Sequence, residues 1–124
     1  MKNKELGALG EELARQHLEQ AGYSIVTVNY RSPDGEVDLV ARHGGCLVFV
    51  EVKARKSAGF GPPEEAITAL KKQKLVLVAQ HYIQNMEPSA QQWRIDVVAI
   101  ELDRQNRPRR IEIFENAVGL DEPQ

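Results

Sequence analysis

The 124-residue chain has a single cysteine, Cys46, so no intrachain disulfide can staple it, and that residue reads as structural beside a turn. Histidine is nearly as scarce. His17, His43 and His81 stand far apart, without the ligand spacing of a zinc site. No apolar run approaches the roughly 20 residues of a membrane-spanning helix, and the stretch MKNKELGALGEEL lacks the apolar core of a secretory signal. A cytoplasmic protein is therefore the expectation. Strong net charge is missing too: 16 Lys and Arg against 18 Asp and Glu leave −2. That balance excludes a protein that coats nucleic acid through bulk positive charge. There is no internal repeat or low-complexity segment. The expected organisation is one domain over residues 1–118, followed by a loose tail at 119–124.

What is present alternates between helical and strand periods. Residues Asn3 to Ala21 predict an amphipathic helix, with Leu6, Leu9, Leu13, His17 and Ala21 on one stripe and Gly22 as its stop. Ile25 to Tyr30 reads as a strand, and the Ser32-Pro33-Asp34-Gly35 turn leads into a hairpin whose arms meet at Gly44-Gly45. A loop from Ala54 to Gly61 follows. A second helix is predicted from Pro62-Pro63-Glu64-Glu65 to about Asn85, with Ile67, Leu70, Leu77, Val78 and His81 inward and Lys71 and Lys74 close to that face. Trp93 to Leu102 is apolar on most positions of both faces and predicts a central strand, with Arg94 and Asp96 pairing on one face. Arg109 to Phe114 completes a mixed α/β order, α-β-β-β-α-β-β, with a sheet of about five strands.

The hairpin carries the chemistry. Alternation puts Val37, Leu39 and Ala41 with Val48, Val50 and Val52 on one face, and Glu36, Asp38, Val40, Phe49, Glu51 and Lys53 on the other. With the two glycines as the turn, Asp38 faces Glu51 and Glu36 faces Lys53. Opposed strand residues have Cβ atoms about 4.5 to 5.5 Å apart, where like charges repel. Such a pair is kept cheaply if a cation lies between the carboxylates, if one is protonated, or if both point into water. A solvated charged face and a metal site are both readings of this pattern; Val40 and Phe49 among the charges favour a covered cleft. Glu11 lies at the edge of the first helix's apolar stripe, and either reaches that cleft or is an exposed flank residue. Glu36 is read as the ion-pair partner of Lys53.

An acid on an N-terminal helix, an Asp on a second strand and Glu-x-Lys on a third resemble the restriction-endonuclease-like fold and its PD-(D/E)xK signature, here Asp38, Glu51, Val52 and Lys53. GALGEELARQHLEQAGY, GEVDLV and VFVEVK also resemble archaeal Holliday junction resolvases, with Glu11 at the matching helix position. GEVDLV, FVEVKAR, FGPPEEAI and WRIDVVAI look like the YraN-like bacterial family, over nearly the whole chain. Val37 stands where the signature has proline.

The resemblance implies an Mg²⁺- or Mn²⁺-dependent endonuclease acting on DNA, including branched or structured DNA. Asp38, Glu51 and the Val52 carbonyl would hold the metal, Lys53 would serve the attacking water and the phosphate, and Glu11 would orient a water. Arg55, Lys56 and Lys74 are then candidates for phosphate contacts, and Phe60 for contact with an unstacked base. A homodimer is expected for two-strand cutting. The rival expectations are a binding module of the same fold, docking on nucleic acid or on a repair, recombination or uptake protein, and an enzyme acting on a small phosphoester.

Overall fold

The structure is a computed structural model that describes residues 3–56 and 61–118; Phe60 and the tail at 119–124 lie outside the described residues. Helix α1 (Asn3–Gln20) leads into β1 (Ser24–Ser32), β2 (Gly35–His43) and β3 (Cys46–Lys56). A single 3-10 turn (Pro63–Ala66), helix α2 (Ala69–Met86), β4 (Trp93–Leu102) and β5 (Pro108–Phe114) follow. The strands form one sheet in the order β1-β2-β3-β4-β5, antiparallel except for β3 beside β4. Parallel neighbours need a long crossover, and α2 supplies it. No helix among the described residues is long and apolar enough to cross a membrane.

Each helix covers one face of the sheet. Ala14 and Leu18 of α1 pack with Leu39, Ala41, Val48, Val50, Val98 and Ile100, while Leu6, Leu9 and Leu13 flank them half-buried. Gly10 extends this buried line by one turn and is needed there: a Cβ on it would stand 2.9 Å from the Ala54 Cβ of β3. On the other face, Leu75, Val78, Ala79 and Tyr82 of α2 pack on Val37, Val40, Leu47, Phe49 and Ile95.

Three expectations change. The helix predicted from Pro62 is broken, because Ile67 is extended and Thr68 caps a new helix by accepting a hydrogen bond from the Lys71 N–H at 3.1 Å. Its inward stripe is Leu75, Val78, Ala79 and Tyr82 at i, i+3, i+4 and i+7, which leaves Leu70 and Leu77 60% and 46% exposed. Strand β3 continues through Ala54 and Arg55 to Lys56, held by ladder pairing with β4 as far as Leu102.

Asp96 is fully buried and more than an ion-pair partner. Its carboxylate accepts from Arg94 Nε at 2.9 Å, Tyr23 Oη at 2.7 Å and the Asn116 N–H at 2.9 Å. Arg94 also meets His43 Nδ1 at 2.8 Å, and the His43 ring stacks on Tyr23 at 4.0 Å. Burial and the bond to Asp96 push the Tyr23 phenol up, so it stays a donor. This network ties the turn between α1 and β1, the end of β2 and residues 116–118 to β4.

Candidate functional site

The Gly44-Gly45 turn takes positive φ at both residues, 56° and 81°, and pairs His43 with Cys46. The ladder then runs in the expected register up to Leu39 opposite Val50, and stops. At this point a side chain takes over from the ladder: the Val52 N–H donates to Asp38 Oδ2 at 2.7 Å. On the other side of β2, the residue between the Val28–Leu39 and Tyr30–Val37 pairs is Asn29, in the left-handed region at φ 53°. The irregularity shifts the alternation across Asp38. Val37 therefore packs with Val40 and Phe49 against α2, and not with Leu39 and Ala41 as simple alternation places it.

Asp38, Glu11, Val52 and Lys53 line one open cleft of about 270 Å³, with Leu6, Gly7 and Ala54. Of the two readings of Glu11, the cleft is the one the structure adopts, since its neighbour Glu12 is the exposed acid, bound to Arg15 and Gln16. Burial first, and Asp38 second, raise the Glu11 carboxyl above its ordinary value, while an Asn29 hydrogen bond draws it back. Glu51 points to the α2 face and is 3% exposed. Its carboxyl is pushed up to about 7, mainly by burial, then by the charge of Asp38, with Lys71 and Lys53 opposing. Its Oε2 lies 3.3 Å from Lys71 Nζ.

Other expected participants lie elsewhere. Glu36 pairs with Arg31, its register partner on β1, at 3.1 Å, so the expected Glu36–Lys53 pair is not formed. Its position beyond the end of the β2–β3 ladder explains this. Arg55 and Lys56 follow the cleft along β3, Arg55 in register with Glu101. Lys74 is exposed on α2 and lines no part of the cleft. Asn29 was not singled out by the sequence, and Lys71 was read only as a lysine close to the inward face of the second helix, not as part of the site. Lys71 could have been found one turn before Leu75 on the buried stripe, and Asn29 as a poor strand former inside a strand.

The donor set bears on whether a metal fits. Among the described residues no three His, Cys, Asp or Glu side chains are grouped to hold an ion by themselves. A magnesium-class cation asks for less, since it takes one or two carboxylates and keeps several waters. Asp38 and Glu51, two mutually repelling carboxylates with one Asp38 oxygen spent on Val52, fit that requirement.

Fold and cleft together define an α/β domain with a five-stranded mixed sheet, a helix on each face, and acids and a lysine gathered where a hairpin opens. Residues 10–100 match the profile of the Uncharacterised protein family UPF0102, and the chain belongs to that family. It is 42% identical over 116 residues to a UPF0102 protein of Dehalococcoides mccartyi, which covers 94% of each chain. A UPF0102 protein of Caldicellulosiruptor saccharolyticus is 41% identical over 117 residues, 94% of this chain and 99% of the relative. One from Pelotomaculum thermopropionicum is 43% identical over 114 residues, 92% and 95% of the two chains. The span matched by the family profile includes Glu11, Asp38, Glu51, Lys53 and Lys71.

Proposed function

We propose that the protein is a divalent-cation-dependent endonuclease that hydrolyses phosphodiester bonds in DNA, branched or otherwise structured DNA included. The observation that carries this reading is the opening of the hairpin at Asp38, where its carboxylate is fixed by the Val52 N–H, beside buried Glu51 and in one cleft with Glu11 and Lys53. The element order and the parallel β3–β4 pair support the finer assignment to the restriction-endonuclease-like fold and the YraN-like family.

Asp38 and Glu51 would hold Mg²⁺ or Mn²⁺, with the Val52 carbonyl as a further ligand. When bound, the cation supplies Lewis-acid stabilisation of the phosphoryl charge and a more acidic water. Lys53 would orient the attacking water and offset negative charge on the phosphate. Glu11 would accept a hydrogen bond from a water in the cleft and so orient it. Arg55 and Lys56, further along β3, would position the flanking phosphates.

The test is cleavage of four-way junctions, flaps, single strands and plain duplex in Mg²⁺ or Mn²⁺, beside Asp38→Ala and Lys53→Ala. The expected result is metal-dependent cutting that falls by about 10²-fold or more in each variant. Cutting that survives in both removes these residues from the mechanism. Binding without cutting on every substrate replaces the enzyme by a DNA-binding module.

A further inference from the structure

Glu51 and Asp38 are two like charges at the mouth of a hairpin, and the chain brings its own cation to them. Lys71 belongs to the first turn of α2, where its N–H is tied to the Thr68 cap. It stands one turn before Leu75, so its stem continues the buried stripe and its ammonium reaches Glu51 Oε2 at 3.3 Å. It does so from the α2 face, whereas Glu11 approaches the cleft from α1. The side chain is one-third exposed, and it faces a carboxyl almost wholly shielded from water. An ammonium in that place is a built counter-ion for the carboxylate that a divalent cation would also use.

We propose that Lys71 is an internal cation that competes with the divalent metal for Glu51, so that loading the site requires Lys71 to leave the carboxylate. This rests on the metal-dependent reading given above. It makes Lys71 a positioning residue, acting through Glu51, and it sets the metal affinity of the resting protein below what the two carboxylates alone would provide. The groups that face Glu51 are Asp38 from β2, Lys53 from its own strand and Lys71 from α2. Of the two lysines, Lys71 is the one in ion-pair contact with Glu51, through a side chain that is one-third exposed.

The test is direct titration of the full chain with Mn²⁺ by calorimetry, at fixed pH and ionic strength, for wild type, Lys71→Met, Lys71→Gln, Lys71→Arg and Lys74→Met. Removing the ammonium in Lys71→Met or Lys71→Gln is expected to tighten Mn²⁺ binding about five- to tenfold, an ion pair of this exposure converted to affinity. Lys71→Arg, which keeps the charge, stays near wild type. Lys74→Met removes an equal charge from an exposed position of the same helix and is expected to change affinity by about twofold or less. Binding by Lys71→Met and Lys71→Gln that is no tighter than by Lys74→Met overturns the competition and leaves the metal site standing. Absence of Mn²⁺ binding in every protein, wild type included, overturns the metal-dependent reading and the competition with it.

Discussion

Glu51 carries a local electrostatic conflict, because burial and Asp38 both disfavour its charge. Burial and Asp38 push its carboxyl up to about 7 from an ordinary 4.5, so between those values the native state holds more protons than the unfolded state. The stability that protonated Glu51 contributes is full below about pH 4.5 and is lost as pH rises through 7. Glu51→Gln should therefore exceed wild type in metal-free urea unfolding at pH 8 by on the order of 2–3 kcal/mol, and match it at the acid end. A second contrast concerns two glycines of α1. Gly10→Ala forces a Cβ onto Ala54 and should cost about 1–3 kcal/mol, whereas Gly7→Ala enters open space and should gain up to about 1 kcal/mol of helix propensity. Thermal unfolding of the two variants reads the difference. The need for a small residue near Gly7 and Gly10 was legible from the chain; which of the two touches the sheet was not, since that depends on the strand beneath.

Among the elements, the hairpin was the most readable and α2 the least. A two-glycine turn leaves one register open when both arms have a face to bury, and that register is the one observed. The second helix offers two apolar stripes, one through Leu70 and Leu77 and one through Leu75, Val78 and Tyr82. Periodicity alone does not choose between them. The choice falls to Thr68, which restarts the helix and rotates its inward face. Leu75→Ala is expected to cost about 2–5 kcal/mol as a buried truncation, and Leu70→Ala less than about 0.5 kcal/mol. Thr68→Ala should cost about 1 kcal/mol by loss of the cap. Denaturant midpoints of the three variants order these effects, and a Leu70 effect as large as that of Leu75 would contradict the observed helix rotation.

At the scale of the molecule, one helix on each face leaves the cleft at one end of the α1 side and the Asp96 network at the other. The network joins the α1–β1 turn, β2, β4 and the residues after β5 through one buried carboxylate. Asp96→Ala leaves the Arg94 guanidinium without its acid and should cost about 3–5 kcal/mol, while Tyr23→Phe should cost about 1 kcal/mol. Hydrogen exchange at the Asn116 amide should accelerate in Asp96→Ala, since that N–H loses its acceptor. Protection unchanged at Asn116 would mean that residues 116–118 are held by the Ala117 N–H bond to the Ile95 carbonyl and by Val118 burial alone.

The amino-acid sequence by itself determined the element order and the hairpin register from His43–Cys46 to Leu39–Val50, because turn chemistry and side-chain alternation are local properties. It also placed Arg94 beside Asp96, two residues apart on one strand face. Only the tertiary structure decided that Tyr23, His43 and Asn116 complete that pair, that Glu36 turns to Arg31, and that Lys71 and Asn29 belong to the cleft's surroundings. Those contacts join residues distant in the chain, and their geometry depends on how α2 is rotated and on where β2 leaves β3, neither of which a periodicity contains.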